Sequence, residues 1–193
     1  MKAAREGWEQ QYRSGGWDYL AEESEAGHYL AITQLCGQYL ANRSLLDVGC
    51  GTGILVGYLQ RHAGMAASSY LGVDFAQQAI DQARASCPGA RFSRLDYSLD
   101  AVAGRYDGVI FNETLYCFDD PLAMIDKCIA DNMHAGSLLI VSMYGDHHEA
   151  VWDALASTCA TVDERVVENA LGVRWKIRAL RPRALLPDQP AQA

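Results

Sequence analysis

The sequence has few basic residues, no long apolar run and no closely spaced pair of cysteines. Lys and Arg total 16 against 24 Asp and Glu, which gives a formal charge of −8 over 193 residues. This acidic balance argues against nucleic-acid binding, because most of that affinity comes from neutralising phosphates. No stretch approaches the ~18 apolar residues of a membrane-spanning helix, and the N-terminal segment lacks the apolar core of a secretion signal. We therefore expect a cytoplasmic protein that binds neither nucleic acid nor membranes.

The six cysteines are scattered along the chain and form no C-x-x-C pair. Structural zinc sites require closely spaced ligands, which this distribution lacks. In a chain without a secretion signal, scattered cysteines indicate reduced, buried thiols. We expect neither a structural disulfide nor a metal site.

The length and the hydrophobic content of 50% are typical of one globular domain. We predict an N-terminal helical arm at 1–43, a core of strands and helices at 44–181, and a frayed tail at 182–193. Across the core, short apolar runs alternate with apolar residues at helical spacing, which indicates βαβ units and a parallel sheet. The predicted strands of this part are 45–48, 70–73, 91–95, 106–111 and 138–143, and two further runs within 161–181 predict a closing antiparallel hairpin.

The most informative segment is D-V-G-C-G-T-G at 47–53, in which three alternate glycines join a hydrophobic strand to a helix. Glycine there lets the backbone approach a ligand without an intervening Cβ atom. A dinucleotide-binding loop requires G-x-G-x-x-G, and counting from Gly49 the third glycine is replaced by Ile54. Asp74 ends the next strand about 20 positions later, where a carboxylate can accept hydrogen bonds from both ribose hydroxyls. Taken alone, these features fit NAD or any other adenosine ligand.

The combination of this loop with G-V-D-F at 72–75 resembles the class I S-adenosylmethionine (SAM) dependent methyltransferases. The resemblance continues through F-S-R-L-D-Y at 92–97, Y-D-G-V-I-F-N-E at 106–113 and A-G-S-L-L-I-V-S at 135–142, in the family's order. It implies an α/β fold, a Rossmann-like doubly wound sheet of seven strands in the order 3-2-1-4-5-7-6 with strand 7 antiparallel. It also implies SAM as the methyl donor, with S-adenosylhomocysteine as its product.

For the methionine end of SAM, the resemblance assigns four residues at the ends of two strands. Gly49 and Gly51 would pass under the methionine, and Asp47 would help fix their loop. Asn112, at the end of the fourth strand, would face the donor near its methyl group. The alternative for the glycines is a tight strand–helix turn without a ligand.

For the adenosine end, the resemblance assigns two carboxylates and two aromatic rings. Asp74 would hold the ribose, with Phe75 against the adenine. Asp96 would accept from the adenine amino group, with Tyr97 beside the ring. The alternatives are a helix cap for Asp74, a turn residue for Asp96, and ordinary packing for the two rings.

The N-terminal segment 8–19 is rich in aromatic residues. In similar methyltransferases such a segment folds over the donor, and Tyr12 and Trp17 would then shield the sulfonium, which cation–π attraction favours. The alternative is an aromatic anchor that packs the arm onto the domain.

Candidate substrate residues follow the fourth strand. Methyl transfer from a sulfonium depends mainly on positioning, and a base is needed only if the acceptor must lose a proton. The chain departs here from the N-P-P-Y pattern of amide and base-amine methyltransferases, which disfavours DNA adenine and protein glutamine as substrates. Glu113 would attract an ammonium group or accept a proton, and Tyr116 would pack on the substrate. A solvent-facing Glu113 is the alternative.

The segment after the fifth strand contains two adjacent histidines between acidic residues. Asp146 and Glu149 have capping-box spacing before a predicted helix, and we favour that interpretation. The alternatives are a catalytic or substrate-contacting His147 or His148, and a metal site.

The sequence therefore predicts a SAM-dependent methyltransferase that acts on N or O of a small molecule or natural-product intermediate. A small lid leaves room for a carrier-tethered acceptor. A NAD(P)-dependent oxidoreductase and a non-catalytic SAM-binding subunit are the alternatives. A basic stripe of Arg174, Lys176 and Arg178 on one face, which Arg181 joins at the strand's end, lies near a predicted sheet edge. It indicates edge protection, docking of an acidic carrier, or a homodimer contact.

Overall fold

Helices and strands alternate along the chain in the computed structural model, which describes residues 2–186 and the side chains of 7–186. The six α-helices are Lys2–Ser14 (α1), Ala26–Tyr39 (α2), Ile54–Ala63 (α3), Gln77–Ser86 (α4), Pro121–Asn132 (α5) and Glu149–Thr158 (α6). The seven strands are Leu45–Val48 (β1), Tyr70–Asp74 (β2), Arg91–Arg94 (β3), Tyr106–Asn112 (β4), Met133–Tyr144 (β5), Cys159–Glu168 (β6) and Arg174–Pro182 (β7). None of these helices is both long and apolar enough to cross a lipid bilayer.

The strands form one sheet in the order β3-β2-β1-β4-β5-β7-β6, which confirms the predicted fold class. β1 pairs in parallel with β2 and β4, and β7 is antiparallel to both β5 and β6. The strand order reverses between β1 and β4. In open α/β sheets a ligand crevice forms at such a reversal, outside the carboxyl ends of the strands.

Alternate residues of the central strands pack on opposite faces of the sheet. Leu45 belongs to the core beneath α2, α3 and α4, whereas Leu46 belongs to the core beneath α5 and α6. Each fully buried aliphatic side chain contributes roughly 1.5–3 kcal/mol relative to an exposed one. The two cores hold the carboxyl ends of β1 and β4 in fixed positions.

The start of helix α5 follows from its local sequence. Asp120 is the N-cap, Pro121 follows at the first helical position, and Asp120 Oδ1 accepts a hydrogen bond from the Ala123 amide at 3.0 Å. Replacing such a cap with alanine typically costs about 1 kcal/mol.

The capping box predicted for Asp146 and Glu149 is wrong. His148 is the N-cap of α6, and no side chain caps that helix. Asp146 instead lies 3.6 Å from the Arg174 guanidinium in an ion pair. α6 ends at Thr158, directly before β6 begins at Cys159.

The basic stripe does not lie on a sheet edge, because β6 covers the outer side of β7. Edge protection is therefore the wrong explanation for it. The three cations on one face, Arg174, Lys176 and Arg178, pair with acidic side chains on β6, on α6 and before α6. These ion pairs are Arg178–Glu164 at 2.6 Å, Lys176–Glu149 at 3.5 Å, and Arg174 with Glu168 at 3.5 Å and with Asp146. Carrier docking and a homodimer contact remain predictions.

The predicted frayed tail begins too early. Pro182 is the last residue of β7, and a short 3-10 helix follows at Arg183–Leu185. Leu185 packs against the core beneath α5 and α6. Residues 187–193 lie outside the described part of the chain.

Candidate active site

The glycine loop at the end of β1 requires glycine for two physical reasons. Gly49 has a φ of +77° and Gly51 a φ of +53°, in the left-handed region that other residues avoid. A Cβ atom on Gly49 would lie 2.3 Å from Thr114 Cγ2, and one on Gly51 would lie 3.1 Å from the Tyr12 hydroxyl oxygen. The loop therefore packs on one side against the segment that follows β4 and on the other side against the N-terminal arm.

Two adjoining cavities lie outside the carboxyl ends of the central strands. The first, of about 500 Å³, lies between the glycine loop, the end of β4 and the N-terminal arm. The second, of about 360 Å³, lies outside β2 and β3. The residues that line both cavities are Trp8, Tyr12, Gly49, Thr114 and Cys117.

The second cavity collects the predicted adenosine-binding residues Asp74, Phe75, Asp96 and Tyr97. Asp74 Oδ2 accepts from the Gly51 amide at 3.0 Å, and Oδ1 accepts from the Ala76 amide at 2.9 Å. Burial raises the pKa of Asp74 to about 6, although these hydrogen bonds favour its charged form. Asp74 thus ties the glycine loop to β2 while it faces the cavity.

Asp96 and Tyr97 differ in how far hydrogen bonds and packing within the protein occupy their side chains. Asp96 Oδ1 accepts from the Ser98 amide at 3.0 Å and from its hydroxyl at 2.5 Å, which is a turn interaction. Tyr97 is 4% exposed, its hydroxyl donates to Asn132 Oδ1 at 2.9 Å, and its ring meets Phe111 edge-on. Packing therefore accounts for most of the Tyr97 surface.

The first cavity contains two buried oxygen atoms without a hydrogen-bond partner among the described residues. They are Asp47 Oδ1 and Asn112 Oδ1, at the ends of β1 and β4. Asp47 is 1% exposed, and burial raises its pKa to about 7. An unsatisfied buried acceptor costs about 1–3 kcal/mol, so both atoms favour a ligand that carries donors.

The predicted role of Asp47 in fixing the glycine loop is wrong. Asp47 Oδ2 accepts from the Tyr70 hydroxyl on β2 at 2.5 Å, not from a loop amide. The carboxylate that binds the loop is Asp74, at the end of the neighbouring strand β2, whose Oδ2 accepts from the Gly51 amide.

The N-terminal arm covers the first cavity with the two predicted aromatic residues, Tyr12 and Trp17. Trp17 stacks on Trp8 with a ring separation of 4.9 Å. Glu9 Oε1 accepts from the amide of Gln77, the first residue of α4, at 3.0 Å. The arm is therefore both an aromatic cover and an anchored element.

Glu113 does not face solvent as the alternative interpretation held. Its Oε1 accepts from the Ser142 hydroxyl at 2.6 Å, and its Oε2 accepts from the Tyr144 amide at 3.0 Å and the Tyr116 hydroxyl at 3.1 Å. Burial raises the pKa of Glu113 to about 7. Glu113 and Tyr116 both line the first cavity.

The structure does not bring His147 into either cavity. His147 is exposed, whereas His148 stacks on the Tyr116 ring at 4.4 Å. Among residues 7–186, no three His, Cys, Asp or Glu side chains are grouped so as to hold a metal ion.

Several residues that line the first cavity were not predicted as site residues, among them Glu25, Thr114 and Tyr144. Thr114 carries a weak signal, since it follows the end of β4. Glu25 carries none, because its place depends on how the segment before α2 packs.

The buried carboxyls make the stability of the unliganded protein depend on pH. The pKa values of Asp47, Asp74 and Glu113, at about 7, 6 and 7, lie above the ordinary values near 4. The folded state therefore binds more protons than the unfolded state between about pH 4 and 7, and stability falls as pH rises through that window. Burial lowers the pKa of His28 to about 4. This single group makes stability rise with pH and so opposes the effect of the three carboxyls. We expect a higher melting temperature at about pH 5.5 than at pH 8.

Asp47→Asn should flatten this pH profile, since it removes one of the three groups. The exposed Asp153→Asn is the matched control and should leave the profile unchanged. A melting temperature that rises steadily from pH 5.5 to pH 8 would contradict the assignment.

Comparison with known proteins places this geometry in a family. Residues 17–181 match the family described as "Methyltransferase domain". The ribosomal protein L11 methyltransferase of Chromobacterium violaceum is 33% identical over 119 residues, covering 57% of this chain and 37% of that protein. The ubiquinone biosynthesis O-methyltransferase of Acinetobacter baylyi is 30% identical over 96 residues, covering 46% of this chain and 39% of that protein. The chain thus spans less than half the length of these curated relatives.

The fold is shared with solved structures at lower identity. N-methyltransferase NodS from Bradyrhizobium japonicum WM9, in complex with S-adenosyl-L-homocysteine, superposes with a TM-score of 0.69 at 16% identity. The match covers 86% of this chain and 91% of that one. Since the family match extends over most of the chain and the strand order agrees, the chain belongs to the methyltransferase-domain family and has the fold of the class I SAM-dependent methyltransferases.

Proposed function

We propose that the protein transfers a methyl group from SAM to N or O of a small molecule. The observation that carries this proposal is the pair of buried, unpartnered oxygens, Asp47 Oδ1 and Asn112 Oδ1, in the first cavity. Asp74 and Asp96 add two carboxylates to the second cavity. SAM presents an ammonium group, a ribose diol and an adenine amino group, all of which donate hydrogen bonds to such acceptors.

In this arrangement the second cavity would hold the adenosine and the first would hold the methionine and the acceptor. Bound SAM supplies a methyl group on a sulfonium, and the neutral thioether that departs is a good leaving group. The protein's own contribution would be to orient the acceptor and exclude water. Tyr12 and Trp17 serve the second purpose, since both line the first cavity from the arm side.

A small acceptor is supported by the volume of the first cavity, about 500 Å³, which lies within the usual range for small-molecule sites. The substrates named for the two curated relatives do not identify the acceptor of this chain, because each match covers under two fifths of the relative. The NAD(P) alternative has no support from the glycine spacing or from the family match.

Ligand-induced stabilisation tests the proposal directly. SAM and S-adenosylhomocysteine should raise the melting temperature, and either ligand at 100 times its Kd should add about 2.7 kcal/mol to the free energy of unfolding. NAD is the control ligand, since it shares the adenosine but carries a pyrophosphate. Stabilisation by NAD with none by SAM would overturn the proposal.

A transfer assay separates an enzyme from a non-catalytic subunit. Radiolabelled SAM should give methylated small molecules from a metabolite extract. Tight SAM binding with no transfer, rescued by a co-purifying protein, would favour the non-catalytic alternative.

A further inference from the structure

One side of the first cavity is formed by two glutamates and three tyrosines, and we call it the acceptor wall. Its members are Tyr19, Glu25, Glu113, Tyr116 and Tyr144. Among the described residues that line either cavity there is no lysine, arginine or histidine, whereas the acidic ones are Glu25, Asp47, Asp74, Asp96, Glu113, Asp119 and Asp120. The charge that faces a ligand is therefore of one sign.

Glu113 is held rigidly in this wall. It has a φ of +58°, a conformation that is unfavourable for a non-glycine residue and persists only where the surroundings enforce it. Its three partners, Ser142, Tyr144 and Tyr116, all donate hydrogen bonds to its carboxylate. The contacts therefore favour the charged form, and these three donors leave one lone pair of Oε1 unused.

Glu25 is the second carboxylate of the wall, and it has no lysine or arginine partner among residues 7–186. Its side chain is 12% exposed and lies 3.8 Å from His28 Nδ1. Burial lowers the pKa of His28 to about 4, so the imidazole is neutral near pH 7 and does not compensate the carboxylate. Burial raises the pKa of Glu113, and the charge of Glu25 adds a smaller contribution in the same direction.

The aromatic members complete the wall. Tyr116 and Tyr144 meet edge to face with ring centroids 6.0 Å apart. Tyr19 and Tyr144 line the cavity and are 45% and 43% exposed. Aromatic faces attract cations and also cover apolar groups.

We infer that the methyl acceptor is an amine that arrives as a cation on an apolar body, bound between Glu25 and Glu113 and against the tyrosines of the acceptor wall. The inference rests on the proposed function, because it names the substrate class of the same site. The only charged side chains of the wall, Glu25 and Glu113, would repel an anionic acceptor. A neutral alcohol would leave the Glu25 carboxylate without a cationic partner.

Transfer requires the unprotonated amine. One N–H proton of the ammonium group passes to the Glu113 carboxylate or to water. The nitrogen lone pair then forms a bond to the methyl carbon, while the carbon–sulfur bond breaks and its electron pair stays on sulfur. The positive charge moves from sulfur to nitrogen, where the Glu25 carboxylate stabilises it, together with Glu113 when the proton has passed to water.

Binding of matched probes to the protein saturated with S-adenosylhomocysteine tests this inference. One set is phenethylamine, 2-phenylethanol and 3-phenylpropionate, and the second is tryptamine, tryptophol and indole-3-propionate. We expect the amine of each set to bind at least about tenfold more tightly than the alcohol, with the carboxylate weakest, and the preference to shrink as salt rises. Titration calorimetry or ligand-observed NMR measures each affinity.

Glu25→Gln should lower amine affinity about tenfold and leave the affinities for the alcohol and for S-adenosylhomocysteine unchanged. Glu23→Gln is the matched control, since Glu23 is exposed in the same segment, lines neither cavity and carries the same charge. Equal binding of amine and alcohol, tighter binding of the carboxylate, or no binding of either amine would overturn the inference. The proposed function would stand in each case if S-adenosylhomocysteine still bound normally. Failure of the unmodified protein to bind S-adenosylhomocysteine would overturn both.

Discussion

Replacing Gly49 with alanine is expected to destabilise the protein by about 2–5 kcal/mol and to abolish detectable binding of S-adenosylhomocysteine. The left-handed conformation costs a residue with a Cβ atom about 1–2 kcal/mol. The new methyl group would lie 2.3 Å from Thr114 Cγ2, and overpacking of this kind costs about 1–3 kcal/mol. Chemical unfolding measures the first effect and titration calorimetry the second.

Gly64→Ala is the matched control for this change. Gly64 also has a positive φ, +62°, but nothing lies within 4 Å of its Cβ position. It should therefore cost only the conformational term, about 1–2 kcal/mol, and leave ligand affinity intact. Thr114→Ser removes the obstructing methyl group and keeps the hydroxyl that donates to Val48 O, so it should partly rescue Gly49→Ala. Equal losses for Gly49→Ala and Gly64→Ala would contradict the argument.

Replacing Asp74 with alanine is expected to weaken binding of S-adenosylhomocysteine by about 2–4 kcal/mol, roughly 30- to 900-fold. The variant would lose the proposed bonds to the ribose and also the observed acceptor for the Gly51 and Ala76 amides. Titration calorimetry near pH 8, where the carboxylate is charged, measures the change.

Two variants frame this prediction. Asp74→Asn keeps an acceptor oxygen and should fall between the original protein and Asp74→Ala. Asp81→Ala removes an exposed carboxylate from α4 and should leave affinity unchanged. Unaltered affinity in a folded Asp74→Ala variant would show that the ribose assignment is wrong.

Most of the fold could be predicted because it depends on local patterns. The end of β1, the glycine loop and the Asp120–Pro121 helix start each show in a few consecutive residues. The capping box failed for the opposite reason. Asp146 had a better partner in Arg174, a residue on another strand that local spacing does not show. The position of the basic stripe was also predicted wrongly. The alternation of basic and apolar residues is the same in an edge strand as in a strand covered by β6.

The candidate site was predicted less completely than the fold. Glu113 was a candidate from its place after β4, but its inward position depends on donors from β5. Glu25 lies before α2 with no motif around it, and only tertiary packing brings it beside the tyrosines. Side chains that a distant element positions leave no local signal.

The roof formed by α1 has a consequence for how ligands come and go. Trp8 and Tyr12 line both cavities, and Glu9 fastens the same helix to α4. In the proposed arrangement the donor occupies both cavities and the acceptor the first, so α1 covers both ligands at once. A displacement of α1 would therefore expose donor and acceptor to water together.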